Sequence, residues 1–407
     1  MIRPTVARVD LRAITRNFRR ISDHLARERP SAPPRAIAVV KANAYGHGAG
    51  QVARALEDAG ADLLACADIE EGAALRAAGV QADILIFGAL SVSDLDGLFD
   101  CGLTPTISTP GAARAVQTAA AHYKRRLPYH LKIDTGMNRL GFRYDNLRRT
   151  LPELLASGNL ELSAIYTHFA TADEPDSPMF NEQRARFERA LAEIDDTNRG
   201  ARGDRRDSLL SADPGSSALR QAQGIPSVSR DAGKRPYVHA CNSAALLRDA
   251  RVWYDRVRPG LLLYGVVPPP LASTIALEPA MTLVSRIVAV KGIRPAEGVG
   301  YGLRFRADAP RSIAVIPAGY ADGLDLRLAG RGAVLIRGRR APIVGAVSMD
   351  MLAADVTGLD VAPGDEVVIL GSQGDDRIDV REMAATIGTI PWEIVCRIGT
   401  RIQRVYA

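Results

Sequence analysis

The chain has 407 residues, of which 47% are hydrophobic and 24% are charged, and its formal net charge is +6. A chain of this length has room for about two domains, and its composition is that of a globular protein. No apolar run approaches the roughly 18–20 residues of a membrane span, and the start MIRPTVARVD lacks the apolar centre of a signal peptide. We therefore expect a cytoplasmic protein with no membrane partner.

The distribution of cysteines and basic residues excludes further classes. Cys66, Cys101, Cys241 and Cys396 form neither a CxxC pair nor a metal-ligand spacing, so they are predicted to be reduced thiols and no metal site is expected. The basic residues form no stripe interleaved with aromatic residues, so no nucleic-acid partner is predicted. Only five of the 52 basic residues are lysines. Each lysine is therefore informative, because arginine cannot replace it as a nucleophilic amine.

Short apolar runs alternate with helical patterns from residue 10 to about residue 265. The helical patterns include Leu11–Glu28 after the candidate N-cap Asp10, Ile69–Ala78 and Met179–Ile194. The predicted strands are Ala36–Val40, Asp62–Ala65, Ile84–Phe87, Thr104–Ile107, Tyr129–Ile133, Leu162–Tyr166, Tyr237–Ala240 and Leu261–Tyr264. Eight strands that alternate with helices over about 250 residues predict an α/β fold, a closed (β/α)₈ TIM-type barrel. An open doubly wound sheet is the alternative.

The composition changes at two further places along the chain. Residues 195–236 are rich in Gly, Ser, Arg, Asp and Pro, which predicts a flexible, solvated insertion in the barrel, with a binding loop as the alternative. Residues 277–407 contain short β-branched runs bounded by Gly or Pro, which predict a mostly β C-terminal domain. The barrel is thus assigned to residues 11–276. The strand-like segment within residues 1–10 is expected to associate with the β domain.

Reactive and polar side chains follow the predicted strands. In a (β/α)₈ barrel the active site lies at the C-terminal ends of the strands, so residues just after each apolar run are candidates. These candidates are Lys41 and Tyr45 after the first strand, Lys132, Asp134 and Arg139 after the fifth, His168 after the sixth, Asn242 and Ser243 after the seventh, and Arg258 and Gly260 at the eighth. Together they predict an active site at one end of the barrel.

Several of these residues have two interpretations. Partial burial of Lys41 would lower its pKa and free the amine as a nucleophile toward an aldehyde, whereas a lysine at a strand end can also extend to solvent. His168 is either a hydrogen-bonded core histidine or a site residue. Asn242 and Ser243 open a helix, where they either form an N-cap or bind an anion. Gly260 permits a close approach of the backbone to a ligand.

Eight motifs together carry a family resemblance. They are AVVKANAYGHG, LKIDTGMNRLGF, THFATADE, CNSAA, RPGLLLYG, VGYG, IPAGYADG and GAVSMDM. In this order and at this approximate spacing they resemble the alanine racemase family. The resemblance covers essentially the whole chain apart from residues 195–236, and the joint occurrence of the motifs is very specific.

The resemblance implies a barrel that carries pyridoxal 5′-phosphate (PLP), followed by a β domain, in a head-to-tail homodimer with shared active sites. The implied reaction interconverts L-alanine and D-alanine through a PLP aldimine and supplies D-alanine for peptidoglycan. Lys41 resembles the Schiff-base lysine and one of two catalytic bases. Tyr301, in VGYG, resembles the second base, which the partner subunit supplies. Two bases suit racemisation, because one face of Cα loses a proton and the other gains one.

The same motifs imply roles for the remaining candidate residues. His168 looks like a residue that pairs with Arg258 or supports Tyr301, and Arg258 matches the arginine that faces the pyridine nitrogen. The cofactor-binding positions are matched by Lys41, Tyr45, His168, Asn242, Ser243, Arg258, Gly260, Leu261 and Tyr320. Arg139, Met349 and Asp350 match substrate-binding positions, and Lys132 matches a lysine that can be carbamylated.

Two positions depart from the family pattern. Ala346 stands where many members carry an arginine along the path of the substrate, and Thr400 stands where some members carry a tyrosine near the phosphate. The departure at Thr400 leaves open a broader-specificity amino-acid racemase of the same fold. A decarboxylase with this barrel would lack the tyrosine base. A non-catalytic PLP-binding protein would not need the β domain that carries Tyr301.

Overall fold

The computed structural model describes residues 3–90, 94–203 and 235–407 of the chain. The first strand, β1 (Val6–Val9), belongs to a sheet discussed below. The next strands form a parallel sheet: β2 (Arg35–Ala36), β3 (Ala38–Val39), β4 (Leu63–Cys66), β5 (Asp83–Ile86), β6 (Thr104–Ile107), β7 (Leu127–Asp134), β8 (Phe142–Arg143), β9 (Leu160–Tyr166), β10 (Tyr237–His239) and β11 (Arg256–Val257).

This sheet closes into a barrel because β2 and β3 act as one strand. Only Ile37 separates them, and its N–H donates a 2.7 Å hydrogen bond to the carbonyl oxygen of Val257. β2 pairs with β11 and β3 pairs with β4, so the ring of strands returns to its start. Counted in this way the barrel has eight parallel strands, with β8 paired outside the ring against β7. The predicted fold class is confirmed.

The predicted eighth strand is wrong. Leu261–Tyr264 form a 3₁₀ turn, and the eighth strand is instead β11 at Arg256–Val257. Periodicity does not distinguish a short buried strand from a short buried helical turn. The correction places Arg258 directly after the last barrel strand, at the face where barrel active sites lie.

Helices surround the barrel, and two more lie near the end of the chain, before the last strand. The first, α1 (Leu11–Glu28), begins after Asp10, whose carboxylate accepts a 2.8 Å hydrogen bond from the N–H of Ala13. The others are α2 (Ala49–Asp58), α3 (Ile69–Ala77), α4 (Asp96–Asp100), α5 (Pro110–His122), α6 (Leu147–Thr150), α7 (Pro152–Leu155), α8 (Met179–Gly203), α9 (Ser243–Arg248), α10 (Val380–Ile387) and α11 (Pro391–Arg397). None of the helices within the described ranges is long and apolar enough to cross a membrane.

Helix α8 overlaps the start of the segment that was predicted to be a flexible insertion. Helix α8 continues past Ile194 to Gly203, so residues 195–203 are helical. Extending a helix that has already formed is much easier than starting one, so polar residues can continue an amphipathic helix. Residues 204–234, which make up most of the predicted insertion, lie outside the described residues.

The second sheet occupies the C-terminal part of the chain and is mostly antiparallel. It contains β1, β12 (Met281–Arg286), β13 (Ala289–Ile293), β16 (Arg311–Ile316), β17 (Ala333–Ile336), β18 (Arg339–Val344), β19 (Leu352–Asp355), β20 (Glu366–Gln373), β21 (Asp376–Ile378) and β22 (Gln403–Tyr406). A separate ribbon joins β14 (Gly298–Val299) to β15 (Phe305–Arg306). β1 pairs antiparallel with β12 and parallel with β22, so the start of the chain lies in this sheet.

The two sides of the barrel interior differ in polarity. One side is an apolar cluster of buried residues formed by Ile37, Val39, Leu63, Ala65 and Leu85. The other side holds buried polar residues that contact one another, namely Thr106, His130, Tyr166, His239 and Arg258. Buried polar groups need hydrogen-bond partners. The side chains on this second side are therefore held in more specific orientations than apolar packing alone would require.

Candidate active site

The C-terminal ends of the barrel strands surround a cavity of about 520 Å³. Strand ends, the turns that follow them and one helix of the β domain form its wall. Ten of the residues proposed from the sequence line it: Lys41, Tyr45, Lys132, Arg139, His168, Asn242, Ser243, Arg258, Gly260 and Leu261. The barrel thus brings together side chains from five separate motifs.

Lys41 begins a left-handed turn. Ala42, Asn43, Ala44 and Tyr45 all have φ between 50° and 55°. The left-handed conformation costs about 1–2 kcal/mol for each residue other than glycine, so four in succession are unusual. The turn directs the amine of Lys41 and the ring of Tyr45 to the same cavity. Backbone strain of this kind persists only where the surroundings determine it.

Side chains of the barrel hold this turn. The carboxylate of Glu71 accepts a 2.7 Å hydrogen bond from the N–H of Ala42 and a 2.8 Å bond from the N–H of Ala67. It therefore ties together the loops after the first two barrel strands. His47 is buried, and its Nδ1 lies 2.9 Å from the carbonyl oxygen of Tyr45. Burial lowers the pKa of His47 to about 4, so the neutral ring donates from Nδ1 at neutral pH.

The β domain also contacts the turn. A β-carbon on Gly46 would lie 2.1 Å from the carbonyl oxygen of Val395, and one on Gly48 would lie 1.8 Å from the hydroxyl oxygen of Tyr406. Both glycines have positive φ, which disfavours a side chain in any case. Arg404 donates a 3.0 Å hydrogen bond from Nε to the carbonyl oxygen of Gly46. Helix α11 and strand β22 therefore pack directly against the segment that carries Lys41.

A polar corner forms where Ser243 meets Gly260. The hydroxyl of Ser243 accepts a 3.0 Å hydrogen bond from the N–H of Gly260. A β-carbon on Gly260 would lie 2.6 Å from the hydroxyl oxygen of Tyr45, so glycine leaves that hydroxyl its room. Asn242 acts as the N-cap of α9, and its side-chain oxygen accepts a 2.9 Å bond from Ala245. Hydroxyl groups beside the first N–H groups of a helix suit an anion such as phosphate.

Positive charge predominates in the cavity. Among the described residues that line it, Lys41, Lys132, Arg139 and Arg258 are basic, and Asp173 is the only carboxylate. Burial, and next the charge of Arg139, lowers the pKa of Lys41. The same two causes lower the pKa of Lys132 to about 8. Two amines that lose their protons easily, beside two arginines, suit anionic ligands and nucleophilic amine chemistry.

Arg258 is buried and held by several acceptors. Its Nη2 donates 2.9 Å hydrogen bonds to the carbonyl oxygens of Thr167 and Ala240, and lies 3.3 Å from Nδ1 of His168. Its Nη1 lies 2.8 Å from Nδ1 of His239. Burial lowers the pKa of Arg258 to about 10, so the guanidinium stays charged at neutral pH. These contacts involve both Nη atoms, and they leave the Nε–H and one N–H of Nη1 as further donors.

Four residues proposed from the family motifs, together with Asp134, do not line this cavity. Tyr301, Tyr320, Met349 and Asp350 lie on the β domain. Tyr301 is 78% exposed, Met349 52% and Tyr320 43%. The chain as described therefore places these side chains on its surface rather than in its own cavity.

Contacts of these four residues and of their sequence neighbours link the loops that carry them. A β-carbon on Gly300, beside Tyr301, would lie 3.2 Å from the nitrogen of Ala346. The N–H of Tyr320 donates a 3.0 Å hydrogen bond to the carbonyl oxygen of Ser348, next to Met349. The carboxylate of Asp350 accepts a 2.6 Å bond from Arg401. The residues proposed from VGYG, IPAGYADG and GAVSMDM thus lie on adjoining loops.

Tyr166 and Trp392 are two of the cavity residues that the sequence analysis did not identify. Tyr166 lies with its ring centre 5.7 Å from Nζ of Lys132 and 5.3 Å from the guanidinium carbon of Arg258. It is the last residue of β9, so the strand-end rule contained the signal that would have found it. Trp392 lies in α11 of the β domain, and no local pattern marks it. Thr400, which was singled out, does not line the cavity.

Comparison with known families and proteins agrees with the motifs. Residues 9–205 and 209–268 match the family model of the alanine racemase N-terminal domain, and residues 280–406 match that of the C-terminal domain. An alanine racemase of Carboxydothermus hydrogenoformans is 40% identical, with all of both chains covered. One from Symbiobacterium thermophilum is 38% identical over all of this chain and 97% of its own length.

Solved structures give the same result. The crystal structure of alanine racemase from Streptomyces lavendulae has a TM-score of 0.86 at 31% identity, covering 100% of this chain and 98% of that one. Alanine racemase from Bacillus anthracis, with bound L-Ala-P, has a TM-score of 0.83 at 31% identity, covering 100% of this chain and 96% of that one. From its motifs, its fold and these matches, the chain belongs to the alanine racemase family.

Proposed function

We propose that this protein interconverts L-alanine and D-alanine with PLP as its cofactor. The observation that carries the proposal is the position of Lys41, a partly buried amine with a lowered pKa in the same cavity as the Ser243–Gly260 corner and Arg258. A strained turn, fixed by both domains, is a reasonable means of holding a reactive amine in one place.

The cavity residues fit PLP. The corner formed by Tyr45, Ser243 and Gly260 would hold the phosphate, and Lys41 would bind the aldehyde carbon. Arg258 would face the pyridine nitrogen, and its lasting positive charge would keep that nitrogen unprotonated. When bound, PLP withdraws electrons from Cα of an attached amino acid and so acidifies the α-proton.

Two bases would move the α-proton. Lys41 would exchange a proton with one face of Cα, and Tyr301 of a second copy would exchange one with the other face. One base gains the proton that Cα loses, while the other gives Cα a proton, so no net charge develops. The exposure of Tyr301 supports a head-to-tail homodimer, since its side chain is available to another subunit rather than to its own cavity.

The adjoining loops would complete the substrate site across this interface. Tyr320, Met349 and Asp350 would approach the partner cavity together with Tyr301, and the bond from Arg401 would hold Asp350. Arg139 would bind the substrate carboxylate from within the cavity. Carbamylated Lys132 would then present a negative charge to orient Arg139. Residues 1–10 and 277–407 would form the β domain, and residues 11–276 the barrel, of a cytoplasmic enzyme that supplies D-alanine for peptidoglycan.

Solvent-deuterium exchange tests this function. We expect deuterium at Cα of L-alanine, much less at Cα of L-serine and none for larger amino acids, because Trp392 and the partner loops restrict the space beside the cavity. Equal exchange into L-serine would support the broader-specificity racemase. No exchange into any amino acid, with PLP bound, would support a non-catalytic PLP-binding protein. The visible absorbance of lysine-linked PLP should be absent in Lys41→Ala.

A further inference from the structure

A chain of hydrogen bonds leads from Arg258 into the barrel interior. Nη1 of Arg258 lies 2.8 Å from Nδ1 of His239, and Nε2 of His239 lies 3.1 Å from Nδ1 of His130. Nε2 of His130 lies 2.7 Å from the hydroxyl oxygen of Tyr237. We call these four residues the relay. Both histidines are fully buried, and Tyr237 packs against the apolar side of the barrel interior.

The chemistry of Arg258 fixes the direction of every bond in the relay. A guanidinium donates hydrogen bonds and cannot accept them, so Nδ1 of His239 must be the acceptor. The proton of a neutral His239 then sits on Nε2 and is donated to Nδ1 of His130. By the same logic, His130 carries its proton on Nε2 and donates it to Tyr237. One donor at the cavity thus determines two tautomers deeper in the barrel.

The environment keeps both imidazoles neutral. Burial, followed by the charge of Arg256, lowers the pKa of His130 to about 3, and burial with the charge of Arg258 lowers the pKa of His239 well below its usual value. A second proton on His239 would also place an N–H against the N–H of Arg258. The direction of the relay therefore does not reverse across the working pH range.

We propose that Tyr237 is a positioning residue for Arg258, acting through His130 and His239. Tyr237 begins β10 and so lies toward the N-terminal side of the barrel, away from the cavity. Its hydroxyl accepts the last bond of the relay, which orients His130, which in turn orients His239 against Arg258. The ring of Tyr166 stacks on His239 with centres 4.6 Å apart and restricts its rotation.

Loss of the relay would change the orientation of Arg258 at the cavity. Four acceptors fix the two Nη atoms of Arg258, of which His239 is the only one held by a side-chain relay. Without Tyr237 the buried N–H of His130 would lack its acceptor, and the imidazole would rotate or change tautomer to recover one. His239 would follow, and the guanidinium would lose its fixed orientation. The effect on catalysis rests on the proposed function, whereas the tautomers do not.

The tautomers can be measured directly in the full-length protein labelled with ¹⁵N-histidine. The chain has only six histidines, so their signals are assignable with single His→Gln variants. We expect His239 and His130 each to show an unprotonated Nδ1 and a protonated Nε2, unchanged between about pH 6 and pH 9. A protonated Nδ1 on His239 would overturn the proposal, whether or not PLP is bound.

Tyr237→Phe tests the positioning role. We expect altered ¹⁵N shifts at both relay histidines, a shifted absorbance band of the lysine-linked cofactor, and kcat lowered by roughly 2- to 30-fold with KM for alanine little changed. The matched control is Tyr129→Phe, because Tyr129 is a buried tyrosine of barrel strand β7 that takes no part in the relay. Equal effects of the two variants, or unchanged histidine shifts in Tyr237→Phe, would contradict the proposal.

A second variant tests the relay in case Tyr237→Phe does not fold well. His130→Asn keeps an acceptor for His239 but no longer reaches Tyr237. His239 should therefore keep its tautomer but lose its fixed orientation against Arg258, and kcat should fall as in Tyr237→Phe. An unchanged kcat would count against the relay. Absence of any cofactor absorbance in the wild-type protein would instead overturn the proposed function, and the wild-type tautomers would still decide the relay.

Discussion

A β-carbon added to Gly260 would lie 2.6 Å from the hydroxyl oxygen of Tyr45. The backbone of Gly260 has φ −114°, which any residue can adopt, so the conflict is one of space and not of strain. The N–H of Gly260 also binds Ser243. The residue at position 260 therefore affects the positions of both hydroxyl groups of the polar corner, those of Tyr45 and Ser243.

Gly260→Ala should weaken PLP binding without unfolding the protein. Displacement of the Tyr45 ring removes a hydroxyl from the phosphate corner, and overpacking of this kind typically costs enough to raise the dissociation constant roughly 10- to 100-fold. Titration of the PLP-free protein with PLP, followed by fluorescence, measures this. Gly158→Ala is the control, because a β-carbon there meets no atom within 4 Å. Equal affinity in the two variants would show that the corner does not bind the phosphate.

Ala42→Gly should not destabilise the protein. Glycine removes the cost of the left-handed conformation at φ 52°, which offsets its greater freedom in the unfolded chain. We expect the free energy of unfolding to be unchanged or to rise by up to about 1 kcal/mol. Ala55→Gly, in the interior of α2, should lower it by about 1 kcal/mol. Urea denaturation compares them, and similar losses in both variants would contradict the strain inferred for the turn.

Lys132 should react with carbon dioxide near neutral pH. Only the neutral amine attacks CO₂, forming an N–C bond and releasing a proton, and its pKa of about 8 makes that form available. At a fixed pressure of ¹³CO₂, a carbamate signal should grow between about pH 7 and pH 9 in the NMR spectrum. The signal should disappear in Lys132→Arg and persist in Lys124→Arg, which alters an exposed lysine. A signal equally strong in both variants would place the carbamate elsewhere.

The same lowered pKa affects stability in a defined direction. The pKa of Lys132 falls from its ordinary 10.5 to about 8 on folding, so the unfolded chain binds more protons between these values. The contribution of Lys132 to the free energy of unfolding therefore rises with pH across that window and is least favourable below it. Denaturation at several pH values should show a smaller rise for Lys132→Met than for the wild type. An identical pH dependence would mean that Lys132 does not lose its proton so readily.

Two inactive variants should restore activity when mixed. If the sites are shared, a heterodimer of Lys41→Ala and Tyr301→Phe chains has one site with both changes and one site with neither. Random exchange from an equal mixture should therefore restore about one quarter of wild-type activity. Denaturing and refolding the two variants together, and then assaying racemisation, measures this. Recovery near zero would place Tyr301 and Lys41 in sites of the same chain.

The fold was predictable because the sequence patterns of its strands and helices are local and repeat along the chain. Helix α1 begins after Asp10 as its capping pattern indicates, and the first seven barrel strands each contain an apolar run. The eighth strand was misplaced since Leu261–Tyr264 is more apolar than the real strand, Arg256–Val257. A short apolar segment shows that its residues are buried. It does not show whether the backbone is a strand or a helical turn, because both can be buried.

The candidate site was predictable only in part. Residues directly after strands, such as Lys41 and His168, follow from the position of barrel active sites. Trp392 does not, because the packing of α11 against the barrel brings it to the cavity. The left-handed turn was also hidden, since Ala42 and Ala44 have no intrinsic preference for it. Its conformation is determined by Glu71, His47 and the β domain rather than by its own residues.

The contact between Gly46 and Val395 has a consequence for how this chain can be recombined. The barrel and the β domain look like separable modules, yet the turn that carries Lys41 fits against the second only because Gly46 and Gly48 lack side chains. A chimera that joins this barrel to the β domain of another racemase must therefore preserve the surface around Val395 and Tyr406. Exchange of whole modules during evolution would face the same requirement, so the two halves of the chain are expected to change together.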